Sequence, residues 1–540
     1  MAKPLIPRVI FQPAAGAALG RGIGRIVDAV RPTLGPRPRL VSLQRTGRAD
    51  TPEMLDDAGL IARRIVQLAD RDEDMGAMLA RQMLWRVHER AGDGSATAAV
   101  IFESIYNQGL TYITAGGNPM RLRRDLEAGL AGILDQLAAM TRPLAGRHAL
   151  EHFAYTVCYD AELAHMLGEV FDVIGEYGRL DIRGGQGRAI EREYVEGMYW
   201  EAAPYSREML TGQAHQRVDL EDVAILVSDL NIESGPDLVP LLDAAAQARE
   251  RRLLLICQSL APQALALLMA NNQAGRLQVI AVHTPHVGTK QKAALEDLAL
   301  LTGGQVLLQA AGDSIAGAKY ACLGHARRVW ADKDYFGIVG GRGDPRALRA
   351  HLAELRAAVA AATDPEARKE LRERIGKLMA GSATLWIGGA TETEIKLRSE
   401  LAERTAEALR GALMEGIVPG GGAALLGCRP LLRKMAEDAP DAAARVAYRI
   451  LINALEAPAR TVIANAGCDV ARVMGEVDRA GPGHGFEVHG ERVAPMLEAG
   501  ILDAASVVRI ASAAAVTTAA LALTTDVLVH HAKPVKVYEP

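Results

Sequence analysis

Aromatic side chains make up only 4% of the 540 residues, so any core must be filled by Ala, Leu, Val, Ile and Met. Cysteine is rarer still: Cys158, Cys257, Cys322, Cys428 and Cys468 are odd in number and far apart. This excludes a disulfide framework and paired thiolate ligands, and it fits buried free thiols in a reducing cytoplasm. There is no basic excess. Lys and Arg total 61 against 65 Asp and Glu, a net charge of −4, which leaves no electrostatic footprint for nucleic acid. The amino-terminal run "MAKPLIPRVIFQPAAG" lacks the long apolar core of a signal peptide. The most apolar late stretch, "VVRIASAAAVTTAALALTTDVLV", carries Arg509 and many Ala and Thr residues. It reads as a buried helix rather than a membrane span. The expectation is a cytoplasmic chain with neither nucleic-acid nor membrane partners.

What is present is a globular composition, 49% hydrophobic and 23% charged, in a chain too long for one core, so several domains are expected. The first part reads as helices. Ile23, Ile26, Val27 and Val30 fall at helical spacing, and Pro32 stops them. Met75, Leu79, Met83 and Val87 form a second stripe. The Ala-rich segment after Ser95 is expected to end at Gly109. "GGNPM" opens a helix with Leu122, Leu126, Leu130, Ile133 and Leu137 on one face.

The middle differs. "VAILVSD", "LLLIC" and "LQVIAV" are short continuous apolar runs separated by helical patterns, which predicts a partly parallel sheet covered by helices. Beyond it, Asp364 caps a helix with Pro365 at its first position. Thr391 and Glu394 stand at capping-box spacing before a long helix that runs to Gly416. The chain then reads as helical almost to its end. This order predicts a multidomain α + α/β architecture in which both ends of the chain build one domain.

Three glycine-rich turns stand before or after helices: "PTLGPRP" (32–38), "AGDGSATAA" (91–99) and "PGGGAAL" (419–425). The first turn of a helix leaves backbone N–H groups unpaired and partially positive. Glycines let a phosphate approach such groups, and Ser95 and Thr97 add hydroxyls. Asp93 would repel a bare phosphate but suits Mg²⁺ bridging to phosphate oxygens. By itself the second run is equally an Asp/Ser helix cap. His484 and His489 lack an evident third metal ligand and read as loop histidines.

Together and in this order, these motifs resemble the group I (GroEL-type) chaperonins over nearly the whole chain. "VDAVRPTLGPRPRLV" is similar to the family's first nucleotide turn, and "AGDGSATAAVIFESIYNQGLTYITAGGNPMRLRRDLEAGL" to its phosphate loop and the helix that follows. "EGMYW", "LTGGQVL", "GGATETEIKLR", "MEGIVPGGGAALL" and "EAGILDAASVVR" resemble later landmarks. The resemblance implies a chaperonin fold: a helical equatorial domain from residues 1–139 and 415–540, a small intermediate domain from 140–195 and 383–414, and an α/β apical domain at 196–382. It implies ATP and Mg²⁺ as cofactors, with Thr33, Leu34, Gly35 and Pro36 lining the nucleotide and Asp93 holding the metal. Gly94, Ser95, Ala96 and Thr97 would cradle phosphates. Gly421 would contact the nucleotide from the other side, and Glu487, Val488 and Asp503 would surround ribose and base. Gly197 and Gly416 match hinge glycines. Val239, Leu242, Leu265 and Met269 match apolar positions that hold non-native polypeptides and a co-chaperonin. The residues alone also allow those four to be core positions of amphipathic helices. A homo-oligomeric seven-fold ring is implied, with a co-chaperonin or a paralogous subunit as a further partner.

The departures bear on catalysis. The family uses two further aspartates to position and activate water. Matching "DDAGL" (56–60) to the family's turn places one of them on Ala58, beside Asp57. Counting back from "GIVPGGG" places the other on Arg404, beside Glu403. A guanidinium cannot act as a base. The expectation is that nucleotide binding survives and hydrolysis is slow or absent. That leaves two functions in view, an ATP-driven folding subunit and a hydrolysis-deficient holdase, scaffold or mixed-ring partner. A dehydrogenase or kinase is disfavoured, because no glycine fingerprint follows the first central strand. The apical segment "APYSREMLTG" is more polar than the family norm at Pro204 and Glu208, though Met209 stays apolar. The end of the chain lacks the Gly-Met tail common in the family.

Overall fold

The computed structural model describes residues 8–36, 39–44, 52–185, 187–196, 198–210, 217–248, 250–272, 277–286, 288–362, 364–379 and 381–530. The chain forms two compact units. One comprises Met1–Asp172, Gln186–Ile190 and Ile387–Pro540; the other comprises Val173–Gly185 and Glu191–Trp386.

The first unit is mainly helical and draws on both ends of the chain. Helices Ala14–Val30, Arg71–Ala91, Ser95–Thr114, Pro119–Met140, Ala442–Asn465 and Ala505–Ala522 share one core. The stripe of Ile23, Ile26, Val27 and Val30 is fully buried in it, as are Leu122, Leu126, Ile133, Leu451 and Val516. Met83 and Val87 are buried too, whereas Met75 and Leu79 are half-buried at the edge. The ends of the chain also meet directly, since Arg8–Phe11 pairs antiparallel with Val527–His530. Ala505–Ala522 is long and apolar enough to cross a membrane, but 61% of it is buried within the protein. Its small side chains let neighbouring helices approach closely.

Glycine serves close approach rather than punctuation at several points. A Cβ on Gly22 would overlap the Glu73 carbonyl, and one on Gly76 would overlap the Leu19 carbonyl, so Ala14–Val30 and Arg71–Ala91, the first and third helices in chain order, cross backbone to backbone. The expected stop at Gly109 does not occur. The helix continues to Thr114, and Gly109 instead makes room for the Leu523 side chain. Two short hairpins also lie where the sequence reads as helix or loop, Val41–Leu43 with Glu53–Leu55 and His484–Glu487 with Arg492–Pro495.

The second unit is built on a seven-stranded sheet. Its order is Gln278–His283, Arg252–Cys257, Val218–Ser228, Gly324–Ala331, Tyr335–Gly341 and Met198–Glu201, with Val306–Leu307 also on Val218–Ser228. The first three strands and Val306–Leu307 are parallel, and the other three join antiparallel. The parallel strands are continuous apolar runs because both faces are covered. Val223, Ile225, Val227, Leu254 and Ile256 feed a core with Leu295 and Leu298. Their alternates Ala224, Leu226, Leu253 and Leu255 feed the opposite core with Leu241 and Leu268. A smaller sheet places Gly381–Ile387 between Arg179–Gly184 and Glu191–Glu196.

The caps read from sequence are present. The Asp364 side chain accepts the Ala367 N–H, and the Thr391 side chain accepts the Glu394 N–H at 3.2 Å. Glu394 reaches back to the Ala390 N–H at 2.8 Å, one residue before the cap.

Because Gly22 and Gly76 contact backbone, Gly76→Val has no flexible neighbour to displace. It is expected to cost about 3 kcal/mol, the upper range for overpacking. Urea unfolding of the full-length protein checks this, with Gly475→Ala as the reference; Gly475 lies inside helix Val470–Ala480 and meets nothing within 4 Å.

Candidate functional site

Asp93 lies in a three-residue turn between two long helices of the first unit. Gly92 ends Arg71–Ala91 with φ 68°, and Gly94 precedes Ser95–Thr114 with φ 84°. Both angles fall in the left-handed region that glycine adopts without strain. Space also demands glycine. A Cβ on Gly92 would lie 2.9 Å from Glu407 Cβ and 3.2 Å from the Arg404 carbonyl oxygen, and one on Gly94 would lie 2.7 Å from Val507 Cγ1. The turn is thus held between helices Glu392–Glu415 and Ala505–Ala522. The Asp93 carboxylate accepts the Gly94 N–H at 2.6 Å. It does not cap the next helix, whose first turn receives no side-chain cap, so the cap reading of this run is not realised. Ser95 is buried and its hydroxyl donates to the Leu84 carbonyl at 3.3 Å. Only its N–H, with those of Ala96 and Thr97, remains for an anion.

Two further carboxylates and one guanidinium face Asp93. Asp503 sits in Leu502–Ala504, paired opposite Val418, and a Cβ on Gly420 would lie 3.1 Å from its Oδ1. Burial pushes Asp503 up to about 7, helped by the charge of Asp93. Asp93 keeps solvent-facing surface, yet enough protein surrounds it that burial raises its own pKa. The Gly94 hydrogen bond and Arg404 oppose that rise, and Asp57 adds to it. Arg404 places Nη1 3.2 Å from Asp57 Oδ2 and Nη2 3.2 Å from Asp56 Oδ1. Its Nε is buried without a partner among the described residues. Burial works against the guanidinium charge, but Asp56, Asp57 and Asp93 outweigh it and raise the Arg404 pKa.

The sequence match places the family's position on Ala58 with Asp57 beside it, and in the structure it is Asp57 that faces the site. Ala58 is buried as the first residue of Ala58–Arg64, while Asp57 is its N-cap and faces the site. An N-cap needs a side-chain acceptor and the first helical position does not, which sets the register one residue earlier than the sequence comparison does. Asp57 accepts the Leu60 N–H at 2.7 Å and stands 3.2 Å from His88 Nδ1. Burial pushes its carboxyl up, but His88, Arg404 and the Leu60 N–H bring it below the ordinary value.

The other expected nucleotide residues gather nearby. Leu34 and Val488 belong to one apolar cluster with Val462 and Phe486. Gly35 (φ 113°) packs on Val462, where a Cβ would lie 3.6 Å from its side chain. Gly421 has φ 63° and would place a Cβ 2.8 Å from Met496 Cε. Pro36 is half-buried beside that turn. Thr33 is turned inward, its hydroxyl donating to the Val30 carbonyl at 2.8 Å. Glu487 is occupied by its own hairpin, accepting N–H groups of His489 and Gly490 at 2.8 and 2.9 Å. Gly416, at φ 83°, ends the long helix; Gly197 lies outside the described residues.

Two residues at the site have no sequence signal. Asn465 donates to the carbonyls of Arg31 and Leu34 at 2.9 and 2.8 Å and so fixes the first glycine turn. Tyr159 has φ 51°, and its ring centroid lies 6.1 Å from that of His489. Burial, then Asp503 and Asp93, raise its pKa. A side chain that depends on a left-handed backbone and on partners 330 residues away leaves no periodic trace. A separate cavity of about 650 Å³, lined by His148, His152, Tyr155 and Leu497, shares Leu502 with the Asp503 strand but does not include Asp93.

In the second unit, Leu242, Leu265 and Met269 are half-buried against the core and Val239 is 42% exposed. They lie on helices Val239–Gln247 and Pro262–Asn271, whose inward positions are instead Leu241, Ala245, Ala264 and Leu268. Met209 is buried, so it adds nothing to an exposed apolar surface.

The TCP-1/cpn60 chaperonin family matches residues 26–533 of this sequence. The chain belongs to that family. The fold agrees with solved chaperonins. The chaperonin gp146 from the bacteriophage EL 2 (Pseudomonas aeruginosa), crystallised in the presence of ATP-BeFx, superimposes in crystal form I with a TM-score of 0.73 and 19% identity. That match covers 97% of this chain and 99% of that one. Crystal form II of the same chaperonin gives a TM-score of 0.63 at 18% identity, covering 96% and 98%. This chaperonin chain therefore has an α-helix-rich fold with several small sheets, and family membership gives it a general folding-chaperone role.

The residues at Asp93 fit a magnesium-bound polyphosphate. Among the described residues no group of three or more His, Cys, Asp or Glu side chains makes a metal cage. Mg²⁺ characteristically takes one or two carboxylates and completes its shell with phosphate oxygens and water. Asp93 and Asp503, both raised mainly by burial and the second also by the charge of the first, are a donor pair that a divalent cation would relieve.

The Arg404–Asp57 contact also has a pH signature. Because the Asp57 pKa is depressed below 3.8, its pairing stabilises the fold above the unfolded pKa and is lost as pH falls through the folded one. Arg404→Gln is expected to cost about 2–3 kcal/mol at neutral pH, less than a fully buried pair because Arg404 keeps some solvent contact. Thermal melts of both proteins from pH 7 downward should show the difference shrinking once Asp57 protonates.

Proposed function

We propose that this chain is a ring-forming chaperonin subunit that binds ATP with Mg²⁺, holds non-native polypeptides, and hydrolyses ATP slowly. The observation that carries this reading is the convergence of Asp93, Asp503 and the open first turn of Ser95–Thr114 at one point of a chaperonin fold. The equatorial, intermediate and apical division at 1–139/415–540, 140–195/383–414 and 196–382 belongs to the same proposal. So do a cytoplasmic location, a seven-fold ring and a co-chaperonin or paralogous subunit.

Each group has a part. The N–H groups of Ser95, Ala96 and Thr97 present partial positive charge to anionic oxygens. Asp93 and Asp503 provide the carboxylates for the metal. Magnesium, when bound, neutralises phosphate charge and orients the phosphate oxygens. The apolar cluster of Leu34, Val462 and Val488 receives the nucleobase. Val239, Leu242, Leu265 and Met269 offer an apolar strip for unfolded chain.

Slow turnover follows from the state of the candidate bases. Arg404 is a permanent cation. Asp57 is a carboxylate, but its hydrogen bond to Leu60 and its pairing with Arg404 and His88 lower its basicity. Without a competent general base the rate falls by about 10²–10⁴. Arg404 thereby favours a subunit that spends most of its time holding clients rather than cycling, the second reading kept in view.

Phosphate release by purified full-length protein in millimolar Mg²⁺ tests this. The expected result is slow turnover, abolished by Asp93→Ala and raised at least ~10-fold by Arg404→Asp, which returns a carboxylate to the long helix. Rapid wild-type turnover, or none gained by Arg404→Asp, overturns the slow-cycle assignment. Refolding of a denatured test enzyme, with and without ATP, separates folding from holding.

A further inference from the structure

We propose that Arg404 reads the terminal phosphate, so that the site prefers a nucleoside triphosphate to a diphosphate. The proposal rests on the reading that the Asp93 site binds nucleotide.

The first observation is the arginine's own bonding. Asp56 and Asp57 each take one of its terminal nitrogens at 3.2 Å. Nε is buried with no partner among the described residues. A guanidinium presents five N–H donors in a rigid fork, and two carboxylate contacts leave part of that fork unspent. A buried N–H without an acceptor is costly, and its natural complement is an anionic oxygen. The side chain is also fixed in place. Asp57 is tied to the Leu60 N–H, and the Arg404 backbone packs against Gly92.

The second observation is its position along the site. A chain of contacts runs from the apolar cluster of Leu34, Val462 and Val488 to the hairpin that carries Phe486. It continues through Gly485 and Gly421, which both close on Met496, and then Gly420, which closes on Asp503. Asp503 feels the charge of Asp93, and Asp93 feels that of Arg404. Arg404, whose backbone packs against Gly92 beside Asp93, is the last member of this chain of contacts and the apolar cluster the first. A nucleotide with its base in that cluster and its phosphates at the Ser95 helix start directs its last phosphate toward the guanidinium. A diphosphate falls one group short.

Charge gives the third argument. Asp56, Asp57, Asp93 and Asp503 surround the place that a polyphosphate must enter. Arg404 is the cation that offsets them on the long-helix side. It contributes binding without chemistry: a guanidinium attracts the terminal phosphate but cannot take a proton from water. Tight triphosphate binding and slow hydrolysis are then two consequences of one residue.

Calorimetric titration of the full-length protein with ADP and with the non-hydrolysable analogue AMP-PNP, each with Mg²⁺, tests the proposal. Wild type is expected to prefer AMP-PNP. Arg404→Gln is expected to weaken AMP-PNP ~10–100-fold while changing ADP by less than ~3-fold, the loss of a charge-assisted hydrogen bond. Arg404→Lys keeps the charge but not the fork and should fall between, which preserves the test if Arg404→Gln folds poorly. Equal weakening of both ligands, or no change in either, overturns the role of Arg404. Failure of wild type to bind either ligand overturns the nucleotide reading itself, and Asp93→Asn losing both ligands shows that reading intact.

Discussion

The turn Gly92-Asp93-Gly94 has to pass between two helices with no room for a Cβ at either glycine. That steric constraint organises the first unit. It brings the N-terminus of Ser95–Thr114 against the helices 392–415 and 505–522, which arrive from the far end of the chain. It leaves Asp93 as the one side chain of the turn that can project, and it brings the Arg404 backbone beside it. The close crossing of the first and third helices at Gly22 and Gly76 works the same way. With so few aromatics, the fold gains contact by bringing backbones together rather than by filling space with large rings.

The electrostatics follow from that geometry. Asp56, Asp57, Asp93 and Asp503 converge where two helices and two short strands meet, and burial and pairing act on them unequally. Asp57 is drawn down by His88 and Arg404 after capping its helix. Asp93 and Asp503 are raised, mainly by burial. Arg404 spans the first group and reaches the electrostatic range of the second. On the proposed reading, a metal and an anion together complete the charge balance of these carboxylates and the neighbouring guanidinium. On the same reading, one residue of the long helix, a guanidinium where the resemblance implies a carboxylate, turns the site from one that activates water toward one that grips phosphate.

Much of this was legible from one sequence, and the failures are specific. Helical stripes such as Ile23, Ile26, Val27 and Val30 carry their own period, so they were readable. The central strands declared themselves as short apolar runs, because both of their faces are buried. Gly109 misled because a glycine in a helix can either end it or admit a neighbour, and only the position of Leu523 decides. Ser95 looked like a phosphate donor, but its hydroxyl is taken by Leu84. Glu487 also closes its own hairpin with its carboxylate, a local role that residue type alone does not announce. The match to Ala58 left Asp57 undecided, because pattern matching does not feel the need for a cap.

The sequence by itself determined the helix and strand periods, the helix caps at Asp364 and Thr391, and the family. It also placed Arg404 on the long helix. These are local or colinear properties, set by side-chain type and spacing along the chain. Tertiary structure alone decided that Asp57 and not Ala58 faces the site, and that Asp503 lies close enough to Asp93 to be pushed to about 7. It also decided that Tyr159 and Asn465 belong there and that Arg404 retains an unspent N–H. Those facts depend on distances between residues hundreds of positions apart. Charge interaction and desolvation act through space, and space is defined only once the helices from both ends of the chain have packed together.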